Sequence, residues 1–452
     1  MSIRQLNEAI SGYHKILESE PHRDLAWAEA LREKMQSQGL TVSGRPISPF
    51  LRPHFLTRKQ YDHLVKASDA LHSAIDRVKR MALADPALQN RMGLLPAEKM
   101  LAQIDPGYSF LAVTSLLDTH IHNGSLQFVE YSAESPAGVA YSELLGDLFY
   151  EAAPVKQFRK THPLSKIGGS KHFLQALLKA YKEFGGKNKP NIAIVELKQP
   201  FATVDSTEYH LMAEQFRKLG YAAEIFYPDQ LDYRNSQLKA GDFRIDLVYR
   251  RIPLQEFLIR YDLSHPLVRA YREGSVCVVN SFRSEMARKK AIFDLLTDDT
   301  VTAKFPALER KAIREYLPWT RVVSPTATTY GETKIELPEF ILRNREKLVL
   351  KPNEDESTNT PSVRGWETDD AGWERALKVA SRNPYVVQER VEETPSTFPV
   401  YNWGSMEFRD MNVDVQPHVF LGKTQSCSSY LTAAGGFSSV AGLAPTFLLE
   451  GK

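Results

Sequence analysis

Residues 116–138 read LLDTHIHNGSLQFVEYSAESPAG, and how this stretch pairs with itself decides the reading of the fold. Two carboxylates, Asp118 and Glu130, flank an Asn123-Gly124 turn, and a third, Glu134, follows in a Ser-Pro loop. Two short apolar runs around a glycine-containing turn predict a β-hairpin. The turn sets which side chains share a face. A two-residue Asn-Gly loop pairs His122 with Ser125 and, by alternation, sends Asp118 and Glu130 to opposite faces. A three-residue loop, His122-Asn123-Gly124, pairs Ile121 with Ser125 instead. Asp118, His120, Phe128, Glu130 and, further along, Ser132 then share one face. Gly124 supplies the left-handed residue such a loop needs in third place. Spacing alone leaves the two loops open, and the three-residue loop is expected only if both carboxylates are to share one face. Acids grouped in this way suit Mg²⁺, a hard cation that takes oxygen ligands and shares them with phosphates. A plain hairpin with solvated acids is the alternative. His120 and His122 invite a transition-metal reading, which alternating polarity along the strand explains equally well.

Composition sets outer limits. A chain of 452 residues, 42% hydrophobic and 25% charged, is expected to form a globular protein of about two or three folding units. The 57 basic and 55 acidic residues leave a formal charge of +2, which argues against a nucleic-acid binder with its clustered basic excess. Cys277 and Cys427 are the only cysteines and form neither a zinc spacing nor a disulfide framework. Cys277 lies in a buried-strand pattern and reads as inert. No basic start is followed by an apolar signal segment, and no apolar run is long enough to span a bilayer. The expectation is a cytoplasmic protein with no membrane partner.

Four regions are expected. Residues 1–100 read as helical, with apolar stripes at Ile3, Leu6, Ile10, Tyr13, Leu17 and again at Tyr61, Leu64, Leu71, Ile75, Val78. Thr57 and Gln60 fit a capping box opening the second of these helices. Residues 101–190 hold the acidic hairpin and further helices. Residues 191–300 alternate strands (191–197, 223–227, 245–249, 275–279) with helices, including one over 208–219 capped by Asp205 or Ser206 and one over 284–296. This pattern predicts a doubly wound parallel sheet. No G-x-G-x-x-G follows its first strand, so a dinucleotide site is not indicated. Residues 301–452 carry helices near 308–316, 336–346 and 370–381 and strands at 348–352, 385–391 and 412–421. Gly168-Gly169-Ser170-Lys171 reads as a helix-start turn. Its amides could cradle an anion, but the spacing is not that of a P-loop.

Glu130-Tyr131-Ser132-Ala133-Glu134-Ser135-Pro136-Ala137-Gly138 resembles the E-x-N-x-(D/E)-(S/T)-P motif of circularly permuted ATP-grasp proteins. Glutathionylspermidine synthetase-like carboxylate–amine ligases carry a related motif, with a metal-binding Asp where Asp118 stands. Further matches follow in family order: Ile245–Arg251, Val279–Phe282 leading to Lys289–Phe293, Pro318–Arg321, Leu348–Pro352, Gly365–Glu367, Val386–Val391 and Ala434–Gly436. The resemblance spans roughly residues 50–452 and implies an α/β fold of the circularly permuted ATP-grasp type. Metal ligands come early in such a chain and the nucleotide clamp comes late. The implied activity is ATP-dependent ligation of a small-molecule or peptide carboxylate to an amine through an acyl phosphate, with ATP and Mg²⁺ as cofactors. Asp118, Glu130 and Ser132 would hold the metal. Lys351, Gln388 and Glu389 would hold the nucleotide, and Arg250 or Arg251 the acyl phosphate.

Each assignment has a plainer counterpart. A lysine ending the apolar strand Leu348-Val349-Leu350 can reach phosphate oxygens while its stem stays packed, or simply snorkel. Gln388-Glu389 can meet a purine edge or belong to an ordinary strand of alternating polarity. Arg250 and Arg251 end a strand of an open parallel sheet, where ligands bind and where arginine grips oxyanions, yet a surface ion pair would look the same. The sequence also departs from the family. Ser132 replaces the metal-binding Asn, and Leu116 stands where an Arg is frequent. The loop after Lys351-Pro352 has acids 354–356 in place of glycines, and the Asn and Arg expected before Gly435-Gly436 are missing. These departures raise a second reading, a catalytically degenerate ATP-grasp-like binding or scaffold protein.

Overall fold

The strands Thr114–His122 and Ser125–Ser132 form the expected hairpin, but the ladder closes at His122 opposite Ser125. That is the two-residue register, so the three-residue loop is corrected. Parity does not then separate the acids, because the ladder slips by one residue between Asp118 and Thr119. Val129 is the extra residue of a β-bulge. Thr119 faces Phe128, and Asp118 faces Glu130 directly. The computed structural model describes residues 2–122, 125–133, 137–197, 208–354, 360–434 and 440–451. Asn123-Gly124, Glu134, the helix caps Asp205 and Ser206, the acids 355 and 356, and Gly435-Gly436 lie outside these residues.

The hairpin is one edge of a central antiparallel sheet. Its strand Thr114–His122 pairs with Ser405–Phe420, which pairs with Lys423–Ala433, and that strand with Ala441–Ala444; Ser396–Asn402 also pairs with Ser405–Phe420. Early and late parts of the chain thus share one sheet. On its inner face Leu117, Phe128, Tyr131 and Val415 pack against Leu64, Leu71, Ile75 and Val78 of the helix Arg58–Ala84. Thr57 and Gln60 form the predicted capping box at the start of that helix. Ser68, the polar residue on its apolar stripe, donates to the Leu64 carbonyl at 2.7 Å, which removes the cost of burying a hydroxyl.

The parallel sheet is present, with strands Ala223–Phe226, Ile192–Val195, Leu247–Arg250 and Cys277–Val279 side by side in that order. Strands buried on both faces read as continuous apolar runs, and Ile192–Val195 is buried throughout. The order reverses between Ile192–Val195 and Leu247–Arg250. The helix Glu208–Lys218 stops before Gly220, whose φ of +84° no side chain there tolerates well. The helix expected over 284–296 is instead a 3₁₀ segment, Phe282–Ala287, and a short helix, Ile292–Leu296.

Late in the chain, Thr320–Val322, Tyr385–Glu389, Leu348–Pro352 and Val363–Arg364 make a second antiparallel sheet. It has its own core of Leu337, Ile341, Leu350, Trp373, Leu377 and Val387. In a third small sheet, Thr446–Leu449 lies between His54–Thr57 and Leu164–Lys166. Among the described residues no helix is long and apolar enough to cross a membrane.

Candidate functional site

The outer face of the central sheet carries a row of polar side chains across four strands. Glu130 faces Asp118. Gln416 donates to Asp118 Oδ1 at 2.7 Å, and Ser428 donates to Gln416 Oε1 at 3.2 Å. His418 Nε2 lies 3.1 Å from the same Ser428 hydroxyl. One step along, His120 Nδ1 lies 2.6 Å from Asp414 Oδ1, with Glu393 at 3.6 Å from Nε2. Ser132 lies on this face opposite Leu116. Burial and the facing Glu130 charge push the Asp118 carboxyl up to about 7. Burial alone would lower His120, but Asp414 and Glu393 outweigh it and hold the imidazole above its usual value. The pair Asp118–Glu130 is thus a like-charge pair short of cation.

One cation does reach it. Lys290 Nζ lies 3.1 Å from Glu130 Oε1 and donates to the Glu354 carbonyl at 3.0 Å. Lys289, beside it, pairs with Glu98 at 3.0 Å and with the Glu354 carboxylate. Asn353 fastens the same corner through the Met92 carbonyl and the Ala291 amide. These bonds hold the end of Leu348–Pro352 against the hairpin, so Lys351 enters the same cleft, near enough for its charge to act on His120.

Lys351 Nζ donates to Gln388 Oε1 at 2.9 Å, and Gln388 is buried and also donates to Thr320. The Glu389 carboxylate accepts from the Trp319 amide and the Tyr330 hydroxyl. A cavity of about 300 Å³ opens between this strand end and the hairpin, lined by Ser125, Gln127, Arg314, Pro318, Glu389 and Arg390. That volume is at the lower end of ligand pockets.

The two arginines separate, as neighbours on a strand must. Arg250 is 1% exposed and bonds Glu285 at 2.9 Å, Ser284, and the carbonyls of Asn280 and Ile252. This geometry makes it a buried tie inside the parallel-sheet unit rather than an open oxyanion grip. Arg251 turns the other way. Its Nε lies 3.1 Å from Glu196 Oε2, and its Nη1 is 3.9 Å from Glu208 Oε2. Glu196 and Arg251 stand at the carboxyl ends of the two strands where the sheet order reverses, the usual ligand crevice of such sheets. Glu208 in turn accepts from the Gly138 and Ala140 amides at the start of the helix Val139–Glu151. The amides of Gly169 and Ser170 are taken likewise by Glu143, at 2.9 and 2.7 Å. The anion at that helix start is therefore the chain's own carboxylate.

Asp118, Glu130 and Ser132 share one sheet face, Lys351 lies near enough for its charge to act on the neighbouring His120, and Gln388 and Glu389 follow on the strand paired with that of Lys351. Sequence reasoning gave no role to Lys290, Asp414, Gln416 or His418. The last three carry a signal, since polar residues recur at every second position from Asn412 to His418. Among the described residues, no three His, Cys, Asp or Glu side chains converge as a metal cluster. Two carboxylates and a hydroxyl on one face are oxygen donors of the kind Mg²⁺ takes when phosphates complete its shell.

No family model matches the chain, and no curated protein matches it. Among solved structures it is similar to a glutathione synthetase-like effector from Globodera pallida, in the apo form, at 14% identity over 96% of this chain and 99% of that one, with a TM-score of 0.63. A protein from Methylobacillus flagellatus KT assigned as a gamma-glutamylcysteine synthetase is 10% identical over 87% of each chain, with a TM-score of 0.43. The first likeness defines a class by fold: a mixed α/β chain with several sheets, similar to glutathione synthetase-like structures.

Proposed function

We propose that the protein is an ATP-dependent carboxylate–amine ligase of the circularly permuted ATP-grasp type. The observation that carries this is the cross-strand pair Asp118–Glu130, held short of positive charge in the cleft that Lys351 enters. Asp118 and Glu130, with the Ser132 hydroxyl, would hold Mg²⁺, whose charge screens polyphosphate oxygens when bound. Gln416 orients Asp118 by its 2.7 Å bond. Lys351 would position phosphate oxygens, and Glu389 and its cavity would receive the base. Arg251, at the end of the parallel sheet, would grip the carboxylate-bearing substrate. That substrate would take the γ-phosphoryl group as an acyl phosphate, and an amine would then displace phosphate. Both substrates are small molecules or peptides in this reading. Arg250 is left out of the reacting set by its burial.

A second reading, a non-catalytic nucleotide-binding module, is favoured by one observation. Lys290 already sits on Glu130, where a bound metal would need that carboxylate. Calorimetry with ATP and Mg²⁺, followed by an ADP-release assay with pooled carboxylates and amines, separates the two. ADP release that needs both an acid and an amine supports the ligase. Binding without turnover supports the module, and no binding at millimolar ATP removes both.

A further inference from the structure

Among the described residues, Lys290 is the one lysine or arginine within ion-pair distance of the Asp118–Glu130 pair, with its Nζ 3.1 Å from Glu130 Oε1. The contact is sheltered. The lysine side chain is 8% exposed, so dissolved salt screens the pair little. A second bond runs from the ammonium to the Glu354 carbonyl at 3.0 Å. An ammonium only donates and has no lone pair. Lys290 can therefore neutralise Glu130 but can take no part in ligating a metal.

The backbone under this lysine is fixed. The Lys290 amide donates to the Asn353 carbonyl at 2.9 Å, and the next amide, of Ala291, donates to Asn353 Oδ1 at 2.7 Å. Lys289, on the other side, is fastened to Glu98 at 3.0 Å and to Glu354. What remains free to move is the flexible four-carbon stem of Lys290. Glu130 is the more open partner, with its side chain 37% exposed, so a cation from solvent can reach its carboxylate. Mg²⁺ would hold a carboxylate oxygen at roughly 2.0–2.1 Å. An ammonium left on the same carboxylate would then stand within a few ångströms of a dication, where like charges repel strongly.

We propose that Lys290 is the resident counter-ion of Glu130 and competes with a divalent cation for it, withdrawing to its Glu354 carbonyl bond when the cation binds. This inference rests on the reading of Asp118 and Glu130 as the metal pair. Its consequence is a threshold built into the site. The metal-free pair keeps one positive charge beside it and takes up a divalent cation weakly. Loading also breaks an ion pair between the hairpin and the corner at Lys289–Ala291, so metal binding alters how the hairpin is held to the end of Leu348–Pro352.

The test is Mn²⁺ binding to the full chain without nucleotide, read from the electron-spin-resonance signal of the free ion. Lys290→Met keeps the stem and removes the charge, and it should bind at least ~10-fold more tightly than the unmodified protein. Lys290→Gln, which can still donate to the Glu354 carbonyl, should tighten binding as well. Lys290→Arg should stay within ~3-fold of the unmodified protein, because the competing charge remains. Adding Asp118→Asn to Lys290→Met should abolish the tight binding, and tightening that survives this change places the ion elsewhere and overturns the proposal. If both neutral variants bind Mn²⁺ no more tightly than the unmodified protein while Asp118→Asn still abolishes binding, the competition is overturned and the metal pair stands. If no form binds Mn²⁺, with or without ATP, the metal pair falls and the competition falls with it.

Discussion

Single side chains in this protein hold charge against their surroundings, and that makes them measurable. Asp118 has its carboxyl raised to about 7 in the fold and an ordinary value near ~3.9 when unfolded. Between those values the folded state binds a proton the unfolded chain has lost, so stability falls as pH rises through that window and the penalty is full above it. Asp118→Asn should therefore stabilise the metal-free protein at pH 8, by on the order of 1–2 kcal/mol, read by urea denaturation, while abolishing any response to Mg²⁺. The buried histidines act in the opposite sense. Burial lowers His54 to about 3, His72 to about 4 and His418 to about 3. Unfolding lets each take up a proton once pH drops below ~6.5, so their contribution is complete at neutral pH and is lost as pH falls toward 4. The urea midpoint should drop steeply between pH 6.5 and 4.5, and His418→Gln should flatten that slope. Arg250 gives a third measure. Arg250→Ala strands Glu285 in the core and should cost about 3–5 kcal/mol, with thermal unfolding as the check, and Arg251→Ala, which leaves Glu196 and the buried Glu208 without their cation, should lower the unfolding temperature as well.

At the scale of elements, the hairpin shows what a pattern of residues can and cannot announce. Strand–turn–strand was legible from apolar alternation, and so were the parallel strands and the capped helix beginning at Arg58. The bulge was not, because Val129 looks like any strand valine. Only the register of the folded ladder, with Thr119 opposite Phe128 and Asp118 opposite Glu130, reveals the extra residue. The distortion has a testable signature. Deleting Val129 should leave a regular ladder with Asp118 still opposite Glu130, at the cost of roughly 1.5–3 kcal/mol of lost apolar burial. Inserting an alanine after Val129 should instead bring that alanine opposite Asp118. Mg²⁺-dependent ATP binding by calorimetry should survive the deletion and vanish in the insertion. The stretch 284–296 failed as one helix for a related reason. Lys289 and Lys290 are drawn to Glu98, Glu130 and Glu354, and bonds to distant partners outweigh local propensity. The role of Lys290 was hidden for the same cause, since its carboxylate lies on the early hairpin and its second bond goes to the Glu354 carbonyl just past a late strand.

For the whole molecule, the order of motifs along the chain led to the expectation that early and late segments lie side by side, and the central sheet pairs Thr114–His122 with Ser405–Phe420. What order could not foretell is the fastening of the beginning to the end. Thr446–Leu449 fills the gap between His54–Thr57 and Leu164–Lys166, and Phe447, Leu448 and Leu449 are all buried. At roughly 1.5–3 kcal/mol for each such side chain, ending the chain after Ala444 should remove much of a typical domain's stability. Limited proteolysis should then cut the early region first, with fragments ending near residue 54 or 164. If the shortened protein unfolds at the same urea concentration as the full chain, that strand is dispensable.

The sheet that joins early and late strands also sets a timetable. Thr114–His122 leaves the ribosome with its hairpin mate at once, but its other neighbour, Ser405–Phe420, is still about 280 residues away. At ~5–20 residues per second that gap lasts roughly 15–60 s. For that interval the nascent chain shows an open strand edge, an invitation to mispair. A protein built in this way depends on whatever shields unfinished chains in its cell. Its yield in a heterologous host should follow the supply of such helpers more closely than the stability of the finished fold.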